Sequence, residues 1–191
     1  MIVHVGRRSH RPMEKKVNNK KGLLIVFTGH GKGKTTAALG MAVRAAGHGM
    51  RVLILQFIKG AWAYGELQSL GKMEEIEIKP LGTGFTWEKE SLEEDRRLAE
   101  AGWDEAVSEI KRGYYDMIVL DELNVVLSYG LLSTEAVVEA LANRPFGPHI
   151  VVTGRGAPAG LIAIADLVTE MKEIKHPFGD RGLKAQKGIE F

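Results

Sequence analysis

From Gly22 onward, short apolar runs rich in β-branched residues alternate with longer stretches whose apolar positions recur at helical intervals. This is the pattern of a parallel sheet, in which each strand is buried on both faces and joined to the next by a covering helix. Residues 23–28 predict a first buried strand. Residues 35–46 predict a helix, favoured by Ala, Leu and Met and stopped at Gly47 and Gly49. A second strand is expected over 51–57, where the apolar run Val52 to Leu55 ends at Gln56, and a weaker third over 76–79, closed by Pro80. Ser91 and Glu94 have the spacing of a capping box, and Ala99, Trp103, Ala106 or Val107, and Ile110 follow at helical intervals. They predict a long amphipathic helix with a solvated, charged outer face. Further strands are expected over 117–120, 149–153 and 167–174, with a helix over 134–142 that stops before Pro145. No repeat and no dividing linker is visible. The expectation is a single α/β domain with a mostly parallel central sheet flanked by helices.

Composition narrows the classes. The chain has 191 residues, 45% apolar and 26% charged, enough for one compact core. It has no cysteine, which excludes disulfides, Cys-ligated zinc, iron–sulfur clusters and thiol nucleophiles and points to a cytoplasmic setting. Its apolar runs fall short of the roughly 18–20 residues that a membrane span needs, so no membrane partner is expected. The net charge of +2 is unevenly placed. Residues 1–21 hold seven Lys or Arg against Glu14 alone, a net of +6, and residues 22–191 hold 19 against 23 acidic residues, a net of −4. The basicity belongs to an N-terminal arm, without the apolar centre of a secretory signal, so no nucleic-acid partner is expected. Met13 lies inside the arm and leaves the start open between Met1 and Met13.

Between the first strand and first helix stands Thr28-Gly29-His30-Gly31-Lys32-Gly33-Lys34-Thr35. It has the Lys-Thr ending of a Walker A phosphate loop, with Thr28 in place of the first glycine. Glycines let successive backbone N–H groups turn inward around phosphate oxygens, and the helix behind them adds its positive end. Gly29, His30, Gly31, Lys32, Gly33, Lys34, Thr35 and Thr36 are therefore the candidate nucleotide-binding residues. Lys34 supplies a point charge, and Thr35 offers a hydroxyl to Mg²⁺ or Mn²⁺. The strand ending in Asp121-Glu122 has the Walker B form and would bring carboxylate ligands for a hard cation to the same sheet edge. A ligand-free glycine turn and an acidic helix cap are the plain alternatives, but two companion motifs converge on one nucleoside triphosphate site.

The reaction must come from elsewhere in the chain. Residues 80–90 form a glycine-loosened segment with Phe85 and Trp87 at alternating positions, suited to a large planar ligand, although core packing is the usual fate of such a pair. The phosphate loop, Gln56-Phe57-Ile58-Lys59-Gly60-Ala61-Trp62, Gly84-Phe85-Thr86-Trp87, Leu120-Asp121-Glu122-Leu123-Asn124, Thr153-Gly154-Arg155-Gly156-Ala157-Pro158 and the ending Lys184-Ala185-Gln186-Lys187-Gly188-Ile189-Glu190-Phe191 together resemble the ATP:corrinoid adenosyltransferase family, in one unbroken order over residues 22–191.

The resemblance implies a P-loop NTPase-like (RecA-like) fold and transfer of the 5′-deoxyadenosyl group of ATP to the cobalt of a reduced corrinoid, with release of triphosphate. It implies a nucleotide reversed along the loop, so that C5′ faces the corrinoid. Phe85 and Trp87 become the corrinoid-side aromatics that displace the lower axial ligand of cobalt. Lys34 becomes a catalytic residue, Glu122 the metal ligand beside Thr35, Asp121 its support and Arg155 a phosphate contact. A homodimer is implied, and so is an external reductant such as a flavodoxin or dihydroflavin, since the chain offers neither Cys nor a flavin motif. His30 stands where family members commonly have Asn, and the Phe178-Gly179-Asp180-Arg181-Gly182 spacing is unusual. Whether the acceptor is cobalamin or an earlier corrinoid stays open. A small-molecule kinase and a non-catalytic nucleotide-gated binding module are the rival readings.

Overall fold

The computed structural model describes residues 22–60, 64–82, 84, 92–177, 179 and 182–189. The arm, Trp62, Phe85, Trp87 and Ser91 lie outside these. The element order is β1 (Leu24–Thr28), α1 (Lys34–Ala46), β2 (Val52–Gln56), α2 (Gly65–Leu70), β3 (Ile76–Pro80), α3 (Glu93–Arg112), β4 (Met117–Asp121), α4 (Leu123–Ser128), α5 (Thr134–Ala142), β5 (His149–Thr153), α6 (Ala159–Ile164) and β6 (Leu167–Glu170). The six strands form one sheet in the order β3-β2-β4-β5-β1-β6. Every pairing is parallel, so the expected mostly parallel sheet is parallel throughout.

Period-two alternation divides the core between the two faces. Leu24, Val26, Leu53, Leu55, Ile118, Leu120, Ile150 and Val152 point to one face, where Ala99, Ala106 and Ile110 of α3, Leu123 and Val126 of α4, Val137 and Leu141 of α5 and Leu161 of α6 cover them. Ile25, Phe27, Val52, Ile54, Met117, Val119 and Val151 point to the other and meet Ala38, Ala42, Ala45 and Ala46 of α1. Small side chains let α1 lie close to the sheet as it crosses from β1 over β5 and β4 toward β2. A Leu→Ala change at the fully buried Leu120 or Leu53 would cost about 2–5 kcal/mol.

Two expectations need correction, the end of the sixth strand and the solvated face of α3. The sixth strand ends at Glu170, four residues short of the predicted end, because its partner β1 ends at Thr28, opposite Glu170. The chain beyond turns onto the phosphate loop instead: Met171 N–H donates to Thr28 O at 2.8 Å, and Gly31 N–H donates to Met171 O at 2.6 Å. Helices α2, α4 and α6 have six residues each, too few for a helical period to show in the sequence. The N-cap of α3 is Leu92 with no side-chain cap bond, and the Ser91 capping box falls outside the described residues. The charged face of α3 is not wholly solvated, since Asp95 is buried and Lys79 of β3 donates to Glu105 at 2.7 Å. Among the described residues no helix is long and apolar enough to cross a membrane.

Candidate functional site at the C-terminal edge of the sheet

Register builds the site. Gln56 pairs with Asp121 across β2 and β4, Leu120 pairs with Val152 across β4 and β5, and Phe27 pairs with Thr153 across β1 and β5. The last residues of β2, β4 and β5 therefore stand in a row, next to the strand that feeds the phosphate loop. Such strand ends are where open α/β sheets bind their ligands.

The loop between β1 and α1 is shaped by close backbone approach. Gly29 has φ 94°, and a Cβ there would collide with the Met171 carbonyl. At Gly31 a Cβ would lie 2.8 Å from the Lys172 carbonyl, so only glycine fits. Helix α1 starts after Gly33 with no acidic residue in its first turn and no side-chain cap, which leaves its N-terminal N–H groups and positive end to an anion. Lys34 is buried, and its Nζ donates to Gly31 O at 2.7 Å. Burial holds its ammonium below the usual lysine range, with Glu122 opposing the shift. A phosphate in the loop would take that Nζ from a carbonyl and give it an anionic partner. Beside the loop opens a cavity of about 500 Å³, lined by Gly31, Lys32, Lys172, Lys175 and His176 among others.

Asp121 is fully buried and both of its oxygens are engaged. Oδ1 accepts from the Thr35 hydroxyl at 2.8 Å and from the Thr153 hydroxyl at 2.7 Å. Oδ2 accepts from Gln56 Nε2 at 3.3 Å and lies 3.8 Å from Lys59 Nζ. Lys59 in turn donates to Glu66 Oε1 at 2.6 Å. Burial alone would lower the Lys59 pKa, but Asp121 and Glu66 outweigh it and hold the ammonium above its usual range. Glu122 is the next residue, at φ 64° and ψ 18°. Burial, with the Asp121 charge adding to it, pushes its carboxyl up to about 7 against the pull of Lys34, Lys59 and Arg155.

The structure thus brings Gly29, His30, Gly31, Lys32, Gly33, Lys34, Thr35 and Thr36 to one loop and helix start, and Asp121 and Glu122 to its side. Arg155, exposed just past β5, is close enough to act on both Lys34 and Glu122. Phe85 and Trp87 fall outside the described residues. Sequence reasoning gave no role to Gln56, Lys59, Asn124, Thr153 or Gly154. The signal for Gln56 and Thr153 was a polar residue closing an apolar strand, and both point their polar groups at Asp121.

A hard cation fits the donor set. Thr35 and Glu122 offer oxygen alone, and a divalent ion would relieve the cost of the buried acidic pair. Among the described residues no cluster of three or more His, Cys, Asp or Glu could hold a metal ion, so further oxygens would have to come from a bound phosphate or water.

Comparison with known proteins agrees with this arrangement. The chain is 45% identical over 174 residues to the corrinoid adenosyltransferase of Pseudomonas aeruginosa, covering 91% of this chain and 85% of that protein. It is 43% identical over 173 residues to the corrinoid adenosyltransferase of Escherichia coli K12, covering 91% and 87%. It is 44% identical over 172 residues to the corrinoid adenosyltransferase CobA of Salmonella typhimurium, covering 90% and 87%. The family model for ATP:corrinoid adenosyltransferase BtuR/CobO/CobP matches residues 20–191, and with its phosphate loop, acidic strand end and parallel sheet in that order the chain belongs to this family.

Proposed function

We propose that this chain transfers the 5′-deoxyadenosyl group of ATP to the cobalt of a reduced corrinoid, releasing triphosphate. The cobalt electron pair forms the Co–C5′ bond as the C5′–O bond breaks, and those bonding electrons leave on the triphosphate. The observation that carries the reading is the convergence of loop, Lys34, Thr35, Asp121 and Glu122 at one sheet edge, in a chain of this family. Reduced cobalt is itself the nucleophile, so the protein's tasks are to place C5′ in line and to stabilise charge on the leaving group. Loop N–H groups and Lys34 hold the triphosphate, and Arg155 adds charge from the β5 side.

Mg²⁺ or Mn²⁺ would be held by Thr35 and Glu122, where it would offset negative charge on the triphosphate. Asp121, with both oxygens already occupied, fits a supporting role, orienting the Thr35 hydroxyl. Phe85 and Trp87 are assigned to the corrinoid side, displacing the lower axial ligand so that an external flavodoxin or dihydroflavin can supply the electron. The basic arm, residues 1–21, is assigned to substrate binding, where a net +6 suits triphosphate and the acidic groups of a corrinoid. The working form is a cytoplasmic homodimer.

Product analysis tests the reaction. Anaerobic incubation with ATP and chemically reduced cob(I)alamin should yield one inorganic triphosphate per light-sensitive adenosylcorrinoid, read by ³¹P NMR and by photolysis. ADP as the stoichiometric product would favour a kinase. Corrinoid and ATP binding without a photolabile product would favour a carrier.

A further inference from the structure

Glu122 is the one non-glycine residue with positive φ among the described residues. A left-handed backbone at such a residue costs on the order of 1–3 kcal/mol and persists where neighbouring groups hold it. Here the Glu122 carbonyl accepts from the Val125 and Val126 N–H groups of α4 at 3.1 and 3.3 Å, and a side-chain hydroxyl holds the N–H side of the residue. Thr153 Oγ1 accepts from Glu122 N–H at 2.9 Å and donates its own proton to Asp121 Oδ1 at 2.7 Å. It therefore spans the two acidic residues, using donor and acceptor at once, and it is fully buried.

The next residue leaves room for the result. Gly154 has φ 124°, and a Cβ there would lie 3.1 Å from Glu122 Oε2 and 3.0 Å from Asn124 Cβ. Asn124 Nδ2 closes the joint by donating to Gly154 O at 3.1 Å. The end of β5 thus fixes the turn of the chain at Glu122 and the space into which its carboxylate points.

From this geometry we infer that Thr153 is a positioning residue: its hydroxyl holds the Asp121–Glu122 step in the conformation that presents the Glu122 carboxylate to a divalent cation on the bound triphosphate. The inference rests on the reading above that Glu122 is a cation ligand. Thr153 itself touches neither substrate nor cation. Its contribution is the angle at which Glu122 leaves the strand, together with the fixed Asp121 oxygen that Thr35 also uses.

The test compares the affinity for Mn²⁺·ATP with that for ATP in EDTA, by titration calorimetry without corrinoid, so that no turnover intervenes. The ratio of the two reports how well the chain reads the cation, and general damage to the loop would weaken both forms alike. Thr153→Val keeps the shape and removes the hydroxyl. It should lower the ratio by about 10–100-fold, the usual effect of removing a group that orients a metal ligand, with ATP binding in EDTA near wild type. Thr153→Ser retains the hydroxyl and should restore the ratio to within about threefold. If the Val variant does not fold, Thr153→Ala is the hydroxyl-free chain to measure. A wild-type ratio in the hydroxyl-free chain, or a Ser variant as weak as it, overturns the inference. Glu122→Ala separates the two levels: if it keeps the wild-type ratio, the cation reading of Glu122 fails, whereas its loss beside an unaffected Thr153→Val rejects Thr153 alone.

Discussion

Replacing Glu122 by Gln tests the electrostatics of the site without any substrate. The carboxyl sits at about 7 in the folded chain against 4.5 in its ordinary state. The folded protein therefore binds more protons than the unfolded one between these values, and the stability associated with Glu122 falls as pH rises through that window. Below about pH 4.5 the penalty is absent; above about pH 7 it is complete. At about 1.4 kcal/mol per unit the full penalty has a ceiling of about 3 kcal/mol, and roughly 2 kcal/mol of it develops between pH 5 and pH 8. Gln keeps the shape and carries no charge, so it is free of the penalty. Urea unfolding in EDTA should show the Gln variant gaining on wild type by about 1–2 kcal/mol on going from pH 5 to pH 8. Titrations of groups that do not interact with Glu122 cancel in the comparison. An equal difference at both pH values, or a gain at pH 5 alone, would refute the claim that burial and Asp121 raise this carboxyl.

Lys34→Ala should abolish turnover, with cob(II)alamin plus reductase and with pre-reduced cob(I)alamin alike, because triphosphate placement is lost in both; anaerobic spectrophotometry of the adenosylated product checks it. Trp87→Ala should impair the reductase-coupled assay far more than the pre-reduced one, and equal losses would remove Trp87 from the axial-ligand role. Deletion of residues 1–21 should raise the apparent KM for ATP or corrinoid in steady-state kinetics, and unchanged constants would return the arm to a solvated segment.

Which features were legible in the sequence follows from their physics. Strands β1, β2, β4 and β5 read as apolar runs because both faces of the parallel sheet are covered there. The edge strands β3 and β6 are partly exposed and give weaker runs, though both were visible. The sixth was misjudged in length because its end is set by the end of β1, far away in the chain. Helices α4 and α6 are too short to display a period, and α4 carries the β-branched pair Val125 and Val126 besides. In the site, the phosphate loop and Asp121-Glu122 are contiguous motifs and were readable. Gln56, Lys59 and Thr153 reach Asp121 only through strand register and loop path, from 65, 62 and 32 positions away. The left-handed turn at Glu122 had no sequence signal, since the groups that hold it include a hydroxyl on another strand.

The central claim is that C5′ of ATP becomes bonded to cobalt. ATP labelled with ¹³C at C5′, incubated anaerobically with this protein and cob(I)alamin, tests it directly by ¹³C NMR. The account predicts that the label moves in full into the corrinoid fraction as a cobalt-bound methylene that is lost on illumination, with triphosphate left unlabelled. Label that stays in ADP or free adenosine, with none in the corrinoid, would contradict it.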